Sequence, residues 1–139
     1  MGYALDFDDL QLTRGYSLGR AYGRSKLANI LFTRELARRL AGTGVTANCL
    51  HPGFVATGLG QRRGGIFGSV VRFVMRFAGR PEPGAETIVY LASSPDVAGI
   101  TGGYFVPTGQ KAEPSPAACD DLAARRLWEE SERIARFTE

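Results

Sequence analysis

The chain has 139 residues, a length that suits one domain and is short for two. Its 17 basic and 14 acidic residues leave a net charge of +3, an excess too small and too dispersed for a nucleic-acid-binding protein. The single histidine and two cysteines lack metal-ligand spacing, which excludes a His/Cys metal centre, and no run approaches the ~20 apolar residues of a membrane span.

The first predicted element is a long amphipathic helix over residues 21–41, preceded by a polar, turn-rich segment. Leucine and isoleucine recur along this helix at helical spacing, with arginine and glutamate between them. Gly42-Thr43-Gly44 supplies the stop signal, because glycine adopts the left-handed conformation that ends many helices. The pattern predicts one apolar face along the helix.

Short strands and helices alternate in the rest of the chain. Residues 45–50 form an apolar run that Pro52-Gly53 ends abruptly, and this pattern predicts a buried strand. A second strand is predicted over residues 102–107. Further helices are predicted over residues 66–78, 85–93 and 117–137.

This order of elements predicts an α/β protein with a parallel sheet, because strands joined by helical crossovers run parallel. Two parallel strands cannot bury their own apolar faces, since such sheets are covered on both sides and contain more strands. The expected sheet therefore extends beyond the residues present.

The pentapeptide Tyr22-Gly23-Arg24-Ser25-Lys26 carries the first candidate chemistry, near the start of the long helix. A spacing of four residues places Tyr22 and Lys26 on one helical face. A free tyrosine ionises near pH ~10 and is a poor base at neutral pH, but an ammonium a few Å away favours the phenolate. Such a pair can exchange a proton with an alcohol or carbonyl oxygen. By chance, the same spacing also produces exposed pairs without function.

The sequence around this pair strongly resembles the C-terminal half of the short-chain dehydrogenase/reductase family, and within it the retinol-dehydrogenase-like members. The residues that carry the resemblance are Ala21 to Asn29, Phe32 to Leu40, Gly44 to Asn48, His51-Pro52-Gly53, Thr57, Gly102 to Phe105 and Arg126-Leu127-Trp128. The resemblance implies that residues 1–139 are a single partial domain: the C-terminal portion of a Rossmann-type doubly wound parallel sheet, lacking the N-terminal strands.

The resemblance also implies an oxidoreductase that transfers a hydride between a nicotinamide cofactor, NAD or NADP, and an alcohol or carbonyl substrate. Tyr22 would exchange the proton with the substrate oxygen, and Lys26 would favour the ionised tyrosine and hydrogen-bond the nicotinamide ribose. The implied cofactor-binding residues are Tyr22, Lys26, Pro52, Gly53, Val55 and Thr57. Independently, loops after parallel strands bind ligands in such folds, and glycine permits close backbone approach. An ordinary strand-terminating turn is the alternative for Pro52-Gly53.

Two parts of the family pattern are missing. No G-x-x-x-G-x-G sequence follows a strand. The serine that orients the substrate should end a strand upstream of the tyrosine, whereas Ser17 lies in the segment just before the helix. Met1 is therefore expected to be an internal start or a truncation, and the chain alone is expected to be inactive. The alternative function is that of a truncated, inactive fragment, or of a dimerisation or interaction module without the cofactor-binding half.

Further expectations concern partners and location. The substrate is expected to be a small apolar molecule covered by the helix at residues 66–78, although a basic amphipathic helix there could instead lie on a membrane surface. The family resemblance allows a homodimer through residues 21–41. Two isolated cysteines favour a reducing, cytoplasmic location. His51 is expected to be structural, Cys49 to be buried and Trp128 to dock the last helix.

Overall fold

The computed structural model describes residues 3–52, 82–107 and 109–135, without the side chains of residues 82–84. The predicted helix at residues 66–78 lies outside this part of the chain. The protein divides into two compact units. The first unit comprises Met1–Cys49, Gly99–Tyr104 and Ala112–Glu139, and the second comprises Leu50–Ala98 and Phe105–Lys111.

The long helix, α1, spans Leu18–Arg39 and lies in the first unit. It begins three residues earlier than the predicted 21–41, because the Ser17 side chain accepts a hydrogen bond from the Arg20 backbone N–H and caps the helix. It ends two residues earlier, at Arg39. Gly42 and Gly44 follow with φ of 81° and 79°, the left-handed conformation that the stop signal predicted.

The apolar face of α1 packs against the last helix, α3, which spans Asp121–Ala135. The buried residues of this core are Leu27, Leu31, Ala118, Ala124 and Leu127. The Phe32 and Trp128 rings stack beside it with their centroids 4.9 Å apart, so Trp128 docks the last helix as predicted. The leucine face of α1 is thus covered from within the same chain.

Helix α3 begins at Asp121, four residues later than the start of the predicted 117–137. A 3-10 turn, Pro116–Cys119, precedes it. One carboxylate oxygen of Asp120 then accepts hydrogen bonds from the backbone N–H groups of Leu122 and Ala123, at 3.0 and 2.9 Å. This acidic cap satisfies the first free N–H groups of a helix, and it explains why the helix begins at Asp121.

Strand β1 contains only Cys49–Leu50, a shorter element than the predicted 45–50. Both side chains and backbone make hydrogen bonds just before it, and the Gly102 N–H donates to the Ala47 carbonyl at 2.7 Å. The Asn48 amide donates to the Ile100 carbonyl (2.7 Å) and accepts from the Gly103 N–H (2.9 Å). The Ala47 N–H donates to the Thr101 hydroxyl (3.1 Å). These contacts tie the segment to residues 100–103 without regular pairing.

Strands β2 (Tyr104–Val106) and β3 (Gln110–Lys111) complete a sheet with the order β1-β2-β3. The Cys49 N–H donates to the Gly103 carbonyl and the His51 N–H to the Phe105 carbonyl; both strands advance in the same direction, so β1 and β2 are parallel. β2 and β3 are antiparallel. β3 was not predicted, because two exposed residues carry no alternating pattern.

In the second unit, helix α2 spans Glu82–Ser93, three residues longer at its start than predicted. The most buried of the described residues in this unit are Thr87, Val97 and Phe105. The Tyr90 ring lies close to Gly109, whose φ of 74° belongs to the turn between β2 and β3. A side chain at position 109 would clash with that ring as well as strain the turn.

Candidate active site

Tyr22 and Lys26 lie side by side on the solvent-facing side of α1. The Nζ atom of Lys26 sits over the Tyr22 ring, 5.3 Å from the ring centroid. Tyr22 is 53% exposed, and Lys26 is exposed as well. The helical spacing therefore brings an ammonium and a phenol together where a small molecule could reach both.

The three residues between this pair point elsewhere and have structural contacts. Arg24 is only 7% exposed, and its Nη2 donates to the Asp6 carbonyl at 3.0 Å. The Ser25 hydroxyl donates to the Tyr22 carbonyl at 2.8 Å, which occupies that hydroxyl within the helix. Gly23 lies directly under the ring of Tyr3.

Sequence reasoning missed Tyr3 as a neighbour of the pair. Gly23 could have indicated a close neighbour at this point of the helix. A glycine inside a helix lowers its stability by about 1 kcal/mol relative to alanine, so its presence usually has a packing reason. Nothing in the sequence identified the residue that packs there, since Tyr3 lies in an irregular segment.

The predicted cofactor-binding residues other than Tyr22 and Lys26 fall in or next to the second unit's undescribed segment. Pro52 belongs to the second unit and is exposed. Gly53, Val55 and Thr57 lie outside the described residues. Their roles stay predictions.

Ser17 does not replace the missing substrate-orienting serine. Its hydroxyl oxygen accepts the Arg20 N–H at 3.3 Å, which makes it the N-cap of α1. The role of this serine is therefore to begin the helix that carries Tyr22 and Lys26.

The loop before α1 is held by a carboxylate. Asp9 accepts hydrogen bonds from the Thr13 N–H (2.7 Å), the Thr13 hydroxyl (2.8 Å) and the Arg14 N–H (3.0 Å). The hydrogen bonds from the Thr13 and Arg14 backbone lower the pKa of Asp9 to about 2. Asp9 is therefore ionised at neutral pH and stabilises the turn that leads into Ser17.

Two further titratable groups of the first unit have pKa values raised by burial: the Cys49 thiol and the Tyr104 phenol. A raised pKa keeps the Tyr104 phenol protonated at neutral pH, so it is poorly suited to proton exchange. Cys49 is half-buried, and its Sγ lies 3.7 Å from the Gly103 carbonyl oxygen. Both cysteines are free thiols.

A metal centre has no support within the described part of the chain, where no three His, Cys, Asp or Glu side chains cluster. Among the helices of residues 3–52, 82–107 and 109–135, none combines the length and apolarity of a membrane span.

Comparison with known proteins places this geometry in a family. Residues 9–109 match the family described as enoyl-(acyl carrier protein) reductase. Human retinol dehydrogenase 14 is 48% identical over 134 residues, covering 92% of this chain and 39% of that protein. Human retinol dehydrogenase 13 is 47% identical over 137 residues, covering 94% of this chain and 41% of that protein. The WW domain-containing oxidoreductase of Pongo abelii is 39% identical over 131 residues, covering 94% of this chain and 31% of that protein.

A solved structure shows the same partial fold. The crystal structure of an uncharacterized protein from Mycobacterium paratuberculosis matches with a TM-score of 0.67 and 30% identity, covering 98% of this chain and 47% of that one. The match confirms the predicted fold class, a C-terminal portion of a Rossmann-type sheet. The chain spans about two fifths of the length of the first two relatives.

Proposed function

Because the chain belongs to the short-chain dehydrogenase/reductase family, we propose that it supplies the proton-transfer half of an oxidoreductase acting on an alcohol or carbonyl group. The observation that carries this proposal is the exposed Tyr22–Lys26 pair, with the ammonium 5.3 Å from the ring centroid. The names of the relatives, retinol dehydrogenases among them, support the reaction class.

Tyr22 exchanges the proton. In the oxidising direction, the substrate hydroxyl gives its proton to the phenolate oxygen of Tyr22; in the reducing direction, the phenol returns a proton to the oxygen of the reduced carbonyl. Because the ring is 53% exposed, a substrate oxygen can approach the phenol without rearrangement of α1.

Lys26 places a positive charge beside the Tyr22 ring, with its Nζ 5.3 Å from the ring centroid. A positive charge beside a phenol favours the phenolate, since the two charges attract at short range. An ammonium has three donors, so Lys26 can also hydrogen-bond a ribose hydroxyl while it faces the ring.

The cofactor is NAD or NADP, which supplies or accepts the hydride when bound. The described residues fit its nicotinamide ribose, because Tyr22 and Lys26 present a hydroxyl and an ammonium side by side to solvent. Pro52, Gly53, Val55 and Thr57 are proposed to approach the nicotinamide ring and its carboxamide. The sequence contains no G-x-x-x-G-x-G loop for the pyrophosphate.

The proposed substrate is a small apolar alcohol or carbonyl compound. The relatives' names include retinol, an apolar primary alcohol, and this supports an apolar substrate here. The free thiols of Cys49 and Cys119 support a reducing compartment, for which we propose the cytoplasm.

The second candidate is an inactive fragment or interaction module. The chain covers 39% of retinol dehydrogenase 14. A homodimer through residues 21–41 would have to use a face of the helix other than the one with the buried Leu27 and Leu31.

The deciding experiment compares the 139-residue chain with a chimera, in which the chain replaces the matching segment of human retinol dehydrogenase 14. Binding of NADH and NADPH is titrated for both. Turnover is measured in the oxidising direction with NAD⁺ or NADP⁺ and primary alcohols from ethanol to decanol or all-trans-retinol, and in the reducing direction with NADH or NADPH and the corresponding aldehydes. We expect cofactor binding and turnover in the chimera, and neither in the chain alone.

A folded chimera that binds a cofactor but turns over no alcohol or aldehyde would overturn the enzymatic proposal and leave the second candidate. The parent human enzyme, prepared in parallel, verifies that the assay detects turnover.

A further inference from the structure

The ring of Tyr3 occupies a notch that only glycine provides. A Cβ atom built at Gly23 would lie 2.3 Å from Cδ2 and Cε2 of Tyr3 and 2.8 Å from its Cγ. Carbon atoms do not approach this closely, so an alanine at position 23 requires the ring to move. At Gly19, one turn earlier, the nearest Tyr3 atom is the hydroxyl oxygen at 3.8 Å, an ordinary contact distance.

This notch adjoins the candidate active-site pair. Residues four apart lie one above the other along the same side of a helix. Gly23 and Leu27 therefore form one such strip. Tyr22 and Lys26 form the strip next to it. Leu27 is buried, whereas Tyr22 is 53% exposed. The Tyr3 ring therefore sits at the border between the core of the first unit and the exposed strip of the pair.

A second contact fastens the same segment to the same helical turn. The buried Arg24, which follows Gly23, donates from Nη2 to the Asp6 carbonyl at 3.0 Å. The Asp9 N–H donates in turn to the same Asp6 carbonyl at 3.2 Å. Residues 3–9, called the strap below, are thus attached at Gly23 by a ring and at Arg24 by a hydrogen bond.

We infer that Tyr3 is a positioning residue for Tyr22 and Lys26: its ring on Gly23 holds the helical turn that carries both side chains. Without the ring, Gly23 would be exposed to water. Because glycine restricts the backbone least, the turn that carries Tyr22 and Lys26 would then be less rigid. The effect of Tyr3 on turnover rests on the proposed function, whereas the contact between the Tyr3 ring and Gly23 can be tested without any enzymatic activity.

The first test is a double-mutant cycle of thermal unfolding on the full chain. Gly23→Ala should lower the unfolding midpoint in the presence of Tyr3, because the added methyl displaces the ring. In a Tyr3→Ala background the same substitution should raise the midpoint, because alanine is the better helix former when nothing clashes. Gly19→Ala, the matched control, should not lower the midpoint in either background. An equal effect of Gly23→Ala in both backgrounds overturns the inference.

The second test reads the geometry of the pair directly. The Nζ atom of Lys26 lies over the Tyr22 ring, so the NMR shifts of the neighbouring Lys26 side-chain protons report the contact through the ring current. Tyr3→Ala should move these shifts toward their values in an unfolded peptide, and Tyr3→Phe, which keeps the ring, should restore them. Unchanged Lys26 shifts in a folded Tyr3→Ala chain would show that the strap does not position the pair.

The third test separates this inference from the proposed function. In the chimera, Tyr3→Ala should lower kcat and alter its pH dependence, while Tyr3→Phe should behave as the unsubstituted chimera. A chimera without turnover, combined with the expected NMR shifts, would overturn the proposed function alone. Normal kcat and an unaltered pH profile in the Tyr3→Ala chimera would overturn the positioning role.

Discussion

The ammonium of Lys26 lies against the face of the Tyr22 ring, 5.3 Å from its centroid, on the exposed side of a helix whose opposite side is buried. The attraction between a cation and an aromatic face is about 0.5–1 kcal/mol at an exposed site. That is enough to bias the two side chains toward each other, and it leaves the phenol open to a substrate. The pair is therefore available for chemistry instead of being committed to the core.

The chemistry of the pair can be tested by removing one group at a time in the chimera. Tyr22→Phe and Lys26→Met should each lower kcat by ~10²- to 10⁴-fold, the usual contribution of a positioned proton-transfer group. Tyr22→Phe should raise the dissociation constant of the cofactor by far less than it lowers kcat, because it removes one of several cofactor contacts but the whole proton-transfer group. Stopped-flow kinetics and cofactor fluorescence measure the two quantities.

Two other residues provide matched controls for these variants. Tyr16 is 66% exposed and Lys111 is exposed on β3. Tyr16→Phe and Lys111→Met should therefore leave kcat unchanged. If Tyr22→Phe were as active as Tyr16→Phe, the proton-transfer role of Tyr22 would be wrong.

The packing of α1 on α3 predicts a large difference between two leucine substitutions. Leu31 is fully buried in the core of the first unit, whereas Leu122 is 76% exposed. Leu31→Ala should lower the free energy of unfolding by about 3 kcal/mol through lost burial and the cavity left behind. Leu122→Ala should change it by less than about 0.5 kcal/mol. Denaturant unfolding followed by circular dichroism measures both, and similar losses would contradict the assigned core.

The Asp9 carboxylate predicts an acid limb in the stability of the first unit. Its pKa falls from 3.8 to about 2 in the folded protein, mainly through hydrogen bonds from the Thr13 and Arg14 backbone. A group with a lowered folded-state pKa stabilises the fold fully above its unfolded value, so this contribution is present above pH ~4 and is lost as the pH falls toward ~2.

The measurement is the thermal midpoint between pH 6 and pH 2. Asp9→Asn should lower the midpoint by a few degrees at pH 6 and should flatten its decline between pH 4 and pH 2, because the ionisable acceptor is gone. Asp8→Asn is the control, since the Asp8 side chain is 88% exposed. An identical decline in the wild-type and Asp9→Asn proteins would contradict the assignment.

The two cysteines should differ in reactivity. Cys119 is exposed, whereas Cys49 is half-buried and burial raises the pKa of its thiol. Because the thiolate is the nucleophile, iodoacetamide at pH 8 should modify Cys119 at least ~10-fold faster than Cys49. Peptide mass spectrometry over time gives both rates, and Cys119→Ser isolates the slower site. Equal rates would mean that the Cys49 thiol is not packed against Gly103.

Some boundaries could not be predicted, because short-range patterns compete with contacts from distant residues. The start of α1 was placed too late, because the polar, turn-rich segment before residue 21 hid a helix that begins at Leu18 and is capped by Ser17. Strand 45–50 was predicted too long because its first residues contact residues 100–103 irregularly, through side-chain hydrogen bonds of Asn48 and Thr101 and a single backbone hydrogen bond to Ala47. Neither the helix cap nor these irregular hydrogen bonds produce a periodic hydrophobic pattern in the sequence.

The pairing of Tyr22 with Lys26 follows from sequence alone, because a spacing of four residues in a helix brings two side chains together whatever surrounds them. The family follows from sequence too, through motifs that keep their order along most of the chain. The partners of the long helix could be seen only in the folded protein: Leu31 packs against α3, Arg24 donates to the Asp6 carbonyl, and Tyr3 lies on Gly23. These contacts join residues far apart in the chain, and which of them form depends on how the surfaces fit once the helix exists.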